Sequence, residues 1–184
     1  MNTAPWNNGL PTTLTVGGEE YSVRSDYRVA LDIFLALTDA ELDDYNRAME
    51  ALDCFYIDEV PPEHYQEALE QCFWFLRGGE DESQQKQPQL VSWTQDFSII
   101  ASPVSKIIGQ DVRGLPYLHW WSFLSAYMAI GDCLFAQVVR IRDMKRRGKS
   151  LDKADREFYR RNRDLIDIKN PLTNAEEQLL KSWL

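Results

Sequence analysis

The stretch LPYLHWWSFLSAYMAIGDCLFAQVVRIRDMKRRGKSLDKADREFYRRNRDLIDIKN, Leu115–Asn170, decides the fold class. Leu115-Pro116 opens it, and proline is tolerated in a first helical turn, so a helix is expected to begin there. Trp120, Phe123, Leu124, Tyr127 and Met128 follow at steps of three and four, the spacing of one buried helical face. Gly131-Asp132 interrupts, and Asp132 is the expected N-cap of a second helix. Leu134, Phe135, Val138 and Ile141 form the apolar stripe of that helix. Arg142, Lys145, Arg146 and Arg147 crowd its last turn, where cations suit the helix dipole, and Gly148 is its stop. Ser150 or Asp152 then caps a third helix, Lys153 to about Ile166, with Phe158, Tyr159 and Leu165 inside. The result is a helical hairpin with an apolar inside and a cationic outside, and nothing in it is catalytic.

Moving outward, residues 1–13 read as a flexible leader. Leu14–Val16 and Tyr21–Val23 flank Gly17-Gly18-Glu19-Glu20, the pattern of a small β-hairpin. A lone hairpin is marginal in water, so this one must pack on a helix or find another strand. Asp26 caps a short helix bearing Val29, Ile33, Phe34 and Leu37. Thr38-Asp39-Ala40-Glu41 is a capping-box pattern for a further helix, with Leu42, Tyr45, Met49 and Leu52 on one face. Its acids Glu41, Asp43 and Asp44 read as a solvated first turn rather than a metal site. Pro61-Pro62 launches a third helix through Tyr65, Leu69, Cys72, Phe73 and Leu76, and Gly78-Gly79 ends it. Glu80–Gln89 is a polar loop. Trp93–Ile108 is amphipathic, and Pro103 inside it is expected to kink or restart the helix. A capping box at Thr173–Glu176 starts a last helix to Leu184. The expected architecture is mainly α, a bundle of about seven helices with an N-terminal β-hairpin. It forms a single helical domain over 14–184 with a sub-boundary at the 78–90 loop.

Composition narrows the class further. A 44% hydrophobic fraction over 184 residues supplies a core and argues against general disorder. No apolar run reaches the roughly 20 residues of a transmembrane helix. The N-terminus has neither the basic start nor the apolar centre of a signal peptide. Cys54, Cys72 and Cys133 are odd in number and widely spaced, which points to a reducing cytosol and away from disulfides or zinc. The net charge of −9 hides an asymmetry: residues 1–96 hold five basic against nineteen acidic side chains, whereas residues 140–163 hold eleven against four. Such polarity means either mutual solvation of helix faces or surfaces for different partners.

The sequence contains no phosphate loop, dinucleotide fingerprint or nucleophile elbow. Of the two histidines, His64 reads as a surface or capping residue and His119, among aromatics, as a packed one. An enzyme is therefore the last-ranked reading, with no catalytic residue, cofactor or metal assigned. The basic helices at 140–163 support a second-ranked alternative, a nucleic-acid-binding accessory protein that tracks phosphates, with Phe158 or Tyr159 stacking on a base. The acidic whole-chain balance and the lack of a helix-turn-helix pattern count against it.

The run Leu118-His119-Trp120-Trp121-x-Phe123, then Ile130-Gly131-Asp132 and Ile141-Arg142-Asp143-x-Lys145, resembles the bacteriophage "gene product fifteen" family of phages and prophages of Gram-positive bacteria. So do Gly148-Lys149-x-Leu151-Asp152-Lys153, Glu157–Asn162 and the early Asp26-Tyr27-Arg28. The resemblance extends from about Val23 to Ile168 and is densest over Leu118–Asn162. It implies a tail assembly chaperone whose gene sits between those of the major tail protein and the tape-measure protein. Such a chaperone coats the helical tape measure, keeps it soluble in the host cytoplasm, and leaves before the virion is complete. The tail tube protein and a second copy of the chain are further candidate partners, and a membrane is not. The resemblance carries over no functional residue. The residues expected to face a partner come from the reading above: His119, Trp120, Trp121, Phe123 and Tyr127 on the aromatic helix, and Arg140, Arg142, Lys145, Arg146, Arg147, Tyr159 and Arg160 on the basic ones.

Overall fold

A two-residue glycine turn starts the fold. In the computed structural model, which describes residues 9–39, 41–80 and 90–169, strands β1 (Thr13–Val16) and β2 (Glu19–Ser22) pair antiparallel with Leu14 opposite Tyr21 and Val16 opposite Glu19. Gly17 and Gly18 between them both have positive φ, as a type I′ turn requires. The hairpin packs on a helix, α3, which meets the expectation that it could not stand alone. The helices are α1 (Tyr27–Leu37), α2 (Asp44–Phe55), α3 (Tyr65–Leu76), α4 (Trp93–Ile108), α5 (Trp120–Met128), α6 (Leu134–Arg146), α7 (Lys153–Arg161) and α8 (Arg163–Ile166). The chain is thus mainly helical with one small N-terminal sheet, as read from the sequence.

The described residues divide into two compact units. The first contains 9–39, 41–80 and 116–124, and the second 90–115 and 125–169. Helix α5 is shared, its first five residues belonging to one unit and its last four to the other. The first unit has a core of Ile33, Leu37, Ala51, Phe55, Ala68, Cys72, Phe75, Trp120 and Phe123, all buried. The second is built on Ile100, Val104, Val138, Ile141 and Ile166.

Several local expectations are corrected. No helix begins at Leu115-Pro116: the chain stays extended to His119, which bridges to Asp26, and α5 starts at Trp120. The residues before it are held instead by Asp26, whose carboxylate accepts from Leu118 N–H at 2.9 Å. The capping box at 38–41 does not form. Thr38 Oγ1 donates back to the Phe34 carbonyl at 2.8 Å, and Asp43 caps α2. The buried face of α2 is accordingly Arg47, Ala51, Leu52 and Phe55, and Tyr45 is exposed. Pro103 does not restart α4, which continues through it from Trp93 to Ile108. Cys133, not Asp132, is the N-cap of α6. The expected third helix of the central stretch breaks at Asn162, whose amide donates to the Phe158 carbonyl, leaving the short α8 beyond. Asp152 caps α7, accepting from Asp155 N–H at 2.7 Å. Most of the leader, the 80–89 loop apart from Glu80, and the helix expected after Thr173 lie outside the described residues.

Candidate partner-binding surface

The aromatic run is placed by hydrogen bonds before it is placed by packing. A helix leaves its last carbonyls without internal partners. At the end of α3 two consecutive indoles supply them: Trp120 Nε1 donates to the Leu76 carbonyl at 2.9 Å and Trp121 Nε1 to the Phe75 carbonyl at 2.8 Å. The Trp120 ring is also stacked on Phe123, which is stacked on Tyr27 at 4.7 Å and 3°. Such ring pairs contribute roughly 0.5–1.5 kcal/mol beyond their burial.

His119 ties this arrangement to the N-terminal strand. Its Nε2–H donates to the Pro11 carbonyl at 2.9 Å, and its Nδ1 accepts from Trp121 N–H at 3.0 Å, so the ring caps α5 in one neutral tautomer. Burial lowers its pKa below the usual histidine value, and the Pro11 carbonyl opposes that only in part. Tyr27 N–H donates to the Leu118 carbonyl and Trp120 N–H to Ser25. Asp26-Tyr27-Arg28 and His119-Trp120-Trp121 therefore meet at one junction.

The basic helices are organised around a buried pair. Arg142 on α6 and Asp96 on α4 have side chains 5% and 0% exposed. Both guanidinium ends reach the carboxylate, at 2.5 and 2.9 Å. Nε and the remaining Nη hydrogens go to the carbonyls of Ile166, Leu90 and Leu165 at 2.8, 2.9 and 2.6 Å. Every donor of the fork is occupied, which is the condition under which a buried ion pair is tolerated.

Asp167 gathers three further groups. Lys145 Nζ lies 2.5 Å from it and 3.9 Å from the Tyr159 ring centroid, Tyr159 Oη donates to it at 2.9 Å, and Arg163 Nε at 3.1 Å. Burial alone would raise the Asp167 pKa, but these donors outweigh it and the net shift is downward. Arg140 is bonded to Asp155, whose carboxyl is held below the usual range chiefly by that bond. Arg147 pairs with Asp143 and Arg161 with Glu157. At least six of the eleven cations in 140–163 are thus in ion pairs within their own unit.

The structure sorts the expected partner-facing residues. His119, Trp120, Phe123 and Arg142 are buried, with exposures of 2, 1, 0 and 6%. Trp121, Tyr127 and Tyr159 are half-buried, and Arg140, Lys145, Arg146, Arg147 and Arg160 are exposed. Tyr127 packs between Trp93 and Phe135 at 5.1 and 5.7 Å, and its hydroxyl is pushed up to about 12, first by burial and then by Asp96. Beside this cluster Met128 is 70% and Leu134 43% exposed. Sequence reading placed both on inner faces; their spacing fits that face, but they sit at the α5–α6 turn, where the helix faces run out of neighbours.

Among the described residues no group of three or more His, Cys, Asp or Glu could hold a metal ion. Burial pushes the Cys54 and Cys72 thiols up, the opposite of what a nucleophile needs. No described helix is long and apolar enough to cross a membrane.

The junction of Asp26-Tyr27-Arg28 with His119-Trp120-Trp121 joins the residues on which the family resemblance rests. A family model described as bacteriophage Gp15 protein matches residues 6–168. The chain belongs to that family. No curated protein and no solved structure matches it. In this Gp15 family member the residues of that junction close helix ends and cross-link the first unit, and Met128 and Leu134 are exposed beside the half-buried Tyr127.

Proposed function

We propose that this phage protein is a non-enzymatic tail assembly chaperone that binds the tape-measure protein and keeps it soluble in the host cytoplasm until tube subunits enclose it. The observation that carries the reading is the family match over 6–168, because the resemblance implies a gene placed beside the tape-measure gene. The patch of Tyr127, Met128 and Leu134 supports it, since a helical client is held by an apolar surface that receives its anchor residues. Exposed cations such as Arg160 suit acidic positions of the client. Nucleic acid ranks second because six cations of the basic helices are already paired with carboxylates.

The test is co-expression with the tape-measure protein encoded by the neighbouring gene. The client is expected in the soluble fraction only with this chain, and in a complex that co-purifies. The variant Met128→Glu with Leu134→Glu is expected to keep its fold and lose the complex. A client that is equally soluble with and without the chain sinks the proposal.

A further inference from the structure

The first unit carries a groove that Tyr127, Met128 and Leu134 do not line. It has a volume of about 330 Å³ and lies between the end of α2 and the chain leading into α3. Met49, Ile57 and Tyr65 give it apolar surface, and Asp53, Asp58 and Glu59 give it carboxylates. All three carboxylates are exposed, and Ile57 is 55% exposed. Its one lining cation, Arg24, is directed onto the chain itself: Nη1 donates to the carbonyls of Asp53, Cys54 and Tyr56 at 2.8, 3.1 and 2.6 Å, closing the end of α2.

The second unit carries the complement. Lys153, Arg156 and Arg160 fall at steps of three and four on one face of α7. All are exposed, and none makes an ion pair among the described residues. The opposite face holds Phe158 and Tyr159 against Val138, Ile141 and Ile166, so the stripe stands on a packed helix. The charge of each unit points the same way. The described first unit has four basic and sixteen acidic side chains, net −12, and the second fourteen and nine, net +5.

We infer that the acidic groove of one copy receives the Lys153–Arg156–Arg160 face of α7 from a second copy. The two surfaces differ, so two copies either exchange them reciprocally in a closed dimer or repeat the contact into a ring or an open array. A second copy is the occupant because it brings the complementary charge at equal stoichiometry, together with a rigid helix face. The inference deepens the chaperone reading, on which its biological use rests, since a repeating array suits a long helical client. The self-association itself requires no client.

Sedimentation velocity of the full chain, without client, tests it. At about 50 mM salt the mass should rise with protein concentration, and at about 1 M, where the screening length falls to about 3 Å, it should return to the monomer. Reversing the stripe (Lys153→Glu, Arg156→Glu, Arg160→Glu) should weaken association at least about tenfold, and so should reversing the groove (Asp53→Lys, Asp58→Lys, Glu59→Lys). The two reversed chains, each monomeric alone, should associate when mixed, because each then offers what the other lacks. Thermal melts confirm the fold of each variant, and the single reversals Arg156→Glu and Asp58→Lys replace a triple variant that fails to fold. A wild-type chain that is monomeric at low salt, a reversed chain that associates like wild type, or a mixture that stays monomeric overturns the inference. So does a gain in mass that appears only when duplex DNA is added. Client capture through Met128 and Leu134 is read in a different assay, so either proposal can fail alone.

Discussion

The two units solve the same problem with different chemistry. The first closes its helix ends with aromatic N–H groups and a neutral histidine, and leaves most of its carboxylates in water. The second closes its core with an arginine whose five donors are all occupied, and pairs at least half of its cations with its own carboxylates. The difference teaches that charge along a sequence does not report charge available at a surface. Of the eleven cations in 140–163 at least six are held in ion pairs, and the Lys153–Arg156–Arg160 stripe on α7 stands outside those pairs.

The largest effects should come from removing the centre of each unit. Arg142→Ala leaves Asp96 buried without its partner and should cost about 3–5 kcal/mol. Replacing both, with Arg142→Met and Asp96→Leu, should recover only part of that loss, since the buried charge is gone but the carbonyls of Ile166, Leu90 and Leu165 stay without their donor. Trp120→Ala should cost a similar amount, about 3–5 kcal/mol, but Trp120→Phe should recover it only in part, because the Leu76 carbonyl stays orphaned. Chemical denaturation curves of the four variants measure these values. Full recovery by Trp120→Phe would mean that the indole bond contributes nothing and that the first unit is held by packing alone.

Two glycines separate steric contact from backbone strain. Gly79 and Gly148 both have positive φ, +83° and +63°. A Cβ at Gly79 would meet Trp121 Cη2 at 2.7 Å, whereas one at Gly148 meets nothing within 4 Å. Gly148→Ala should therefore cost about 1 kcal/mol, the strain of the left-handed region, and Gly79→Ala more than twice as much. Equal losses in thermal melts would show that Trp121 moves freely and is not fixed by the Phe75 carbonyl.

Acid should separate the units. The His119 pKa is lowered in the folded chain, so the unfolded chain binds its proton first as pH falls. The stability that depends on His119 is present above the unfolded value near 6.5 and is lost as pH falls through the folded value. Asp155 and Asp167 are also lowered, from 3.8, so their contribution persists until the carboxylate range and is lost only below it. Hydrogen exchange between pH 7 and pH 5 should thus show α5 and the β1 approach loosening first, and His119→Gln should flatten that dependence. The smallest effect is expected at the exposed pair of Arg161 and Glu157, where Arg161→Ala should change stability by less than about 0.5 kcal/mol.

Periodicity and stop signals made the helical class, the glycine-turn hairpin and the caps at Asp26 and Asp152 legible in the sequence, because each depends on residues a few positions apart. The candidate surface was less legible. Trp120 and Trp121 are adjacent and equally aromatic, and nothing local distinguishes the buried ring from the half-buried one. Arg142 sits in a run of exposed cations, and its burial depends on Asp96, 46 positions away. Met128 and Leu134 fit apolar stripes whose opposing partners are missing at a turn.

The sequence by itself determined the helical class with its small hairpin, the family and the polarity of charge, since all three are carried by residue type and short spacing. Only the tertiary structure decided which carbonyls the tryptophans close, which arginine is interior, and which cations and carboxylates remain for a partner. Those outcomes depend on groups far apart in the chain, 108 positions for Pro11 with His119 and 44 for Leu76 with Trp120. Burial then makes a hydrogen bond or an ion pair obligatory, because a polar group left unpaired away from water costs more than the pair itself contributes.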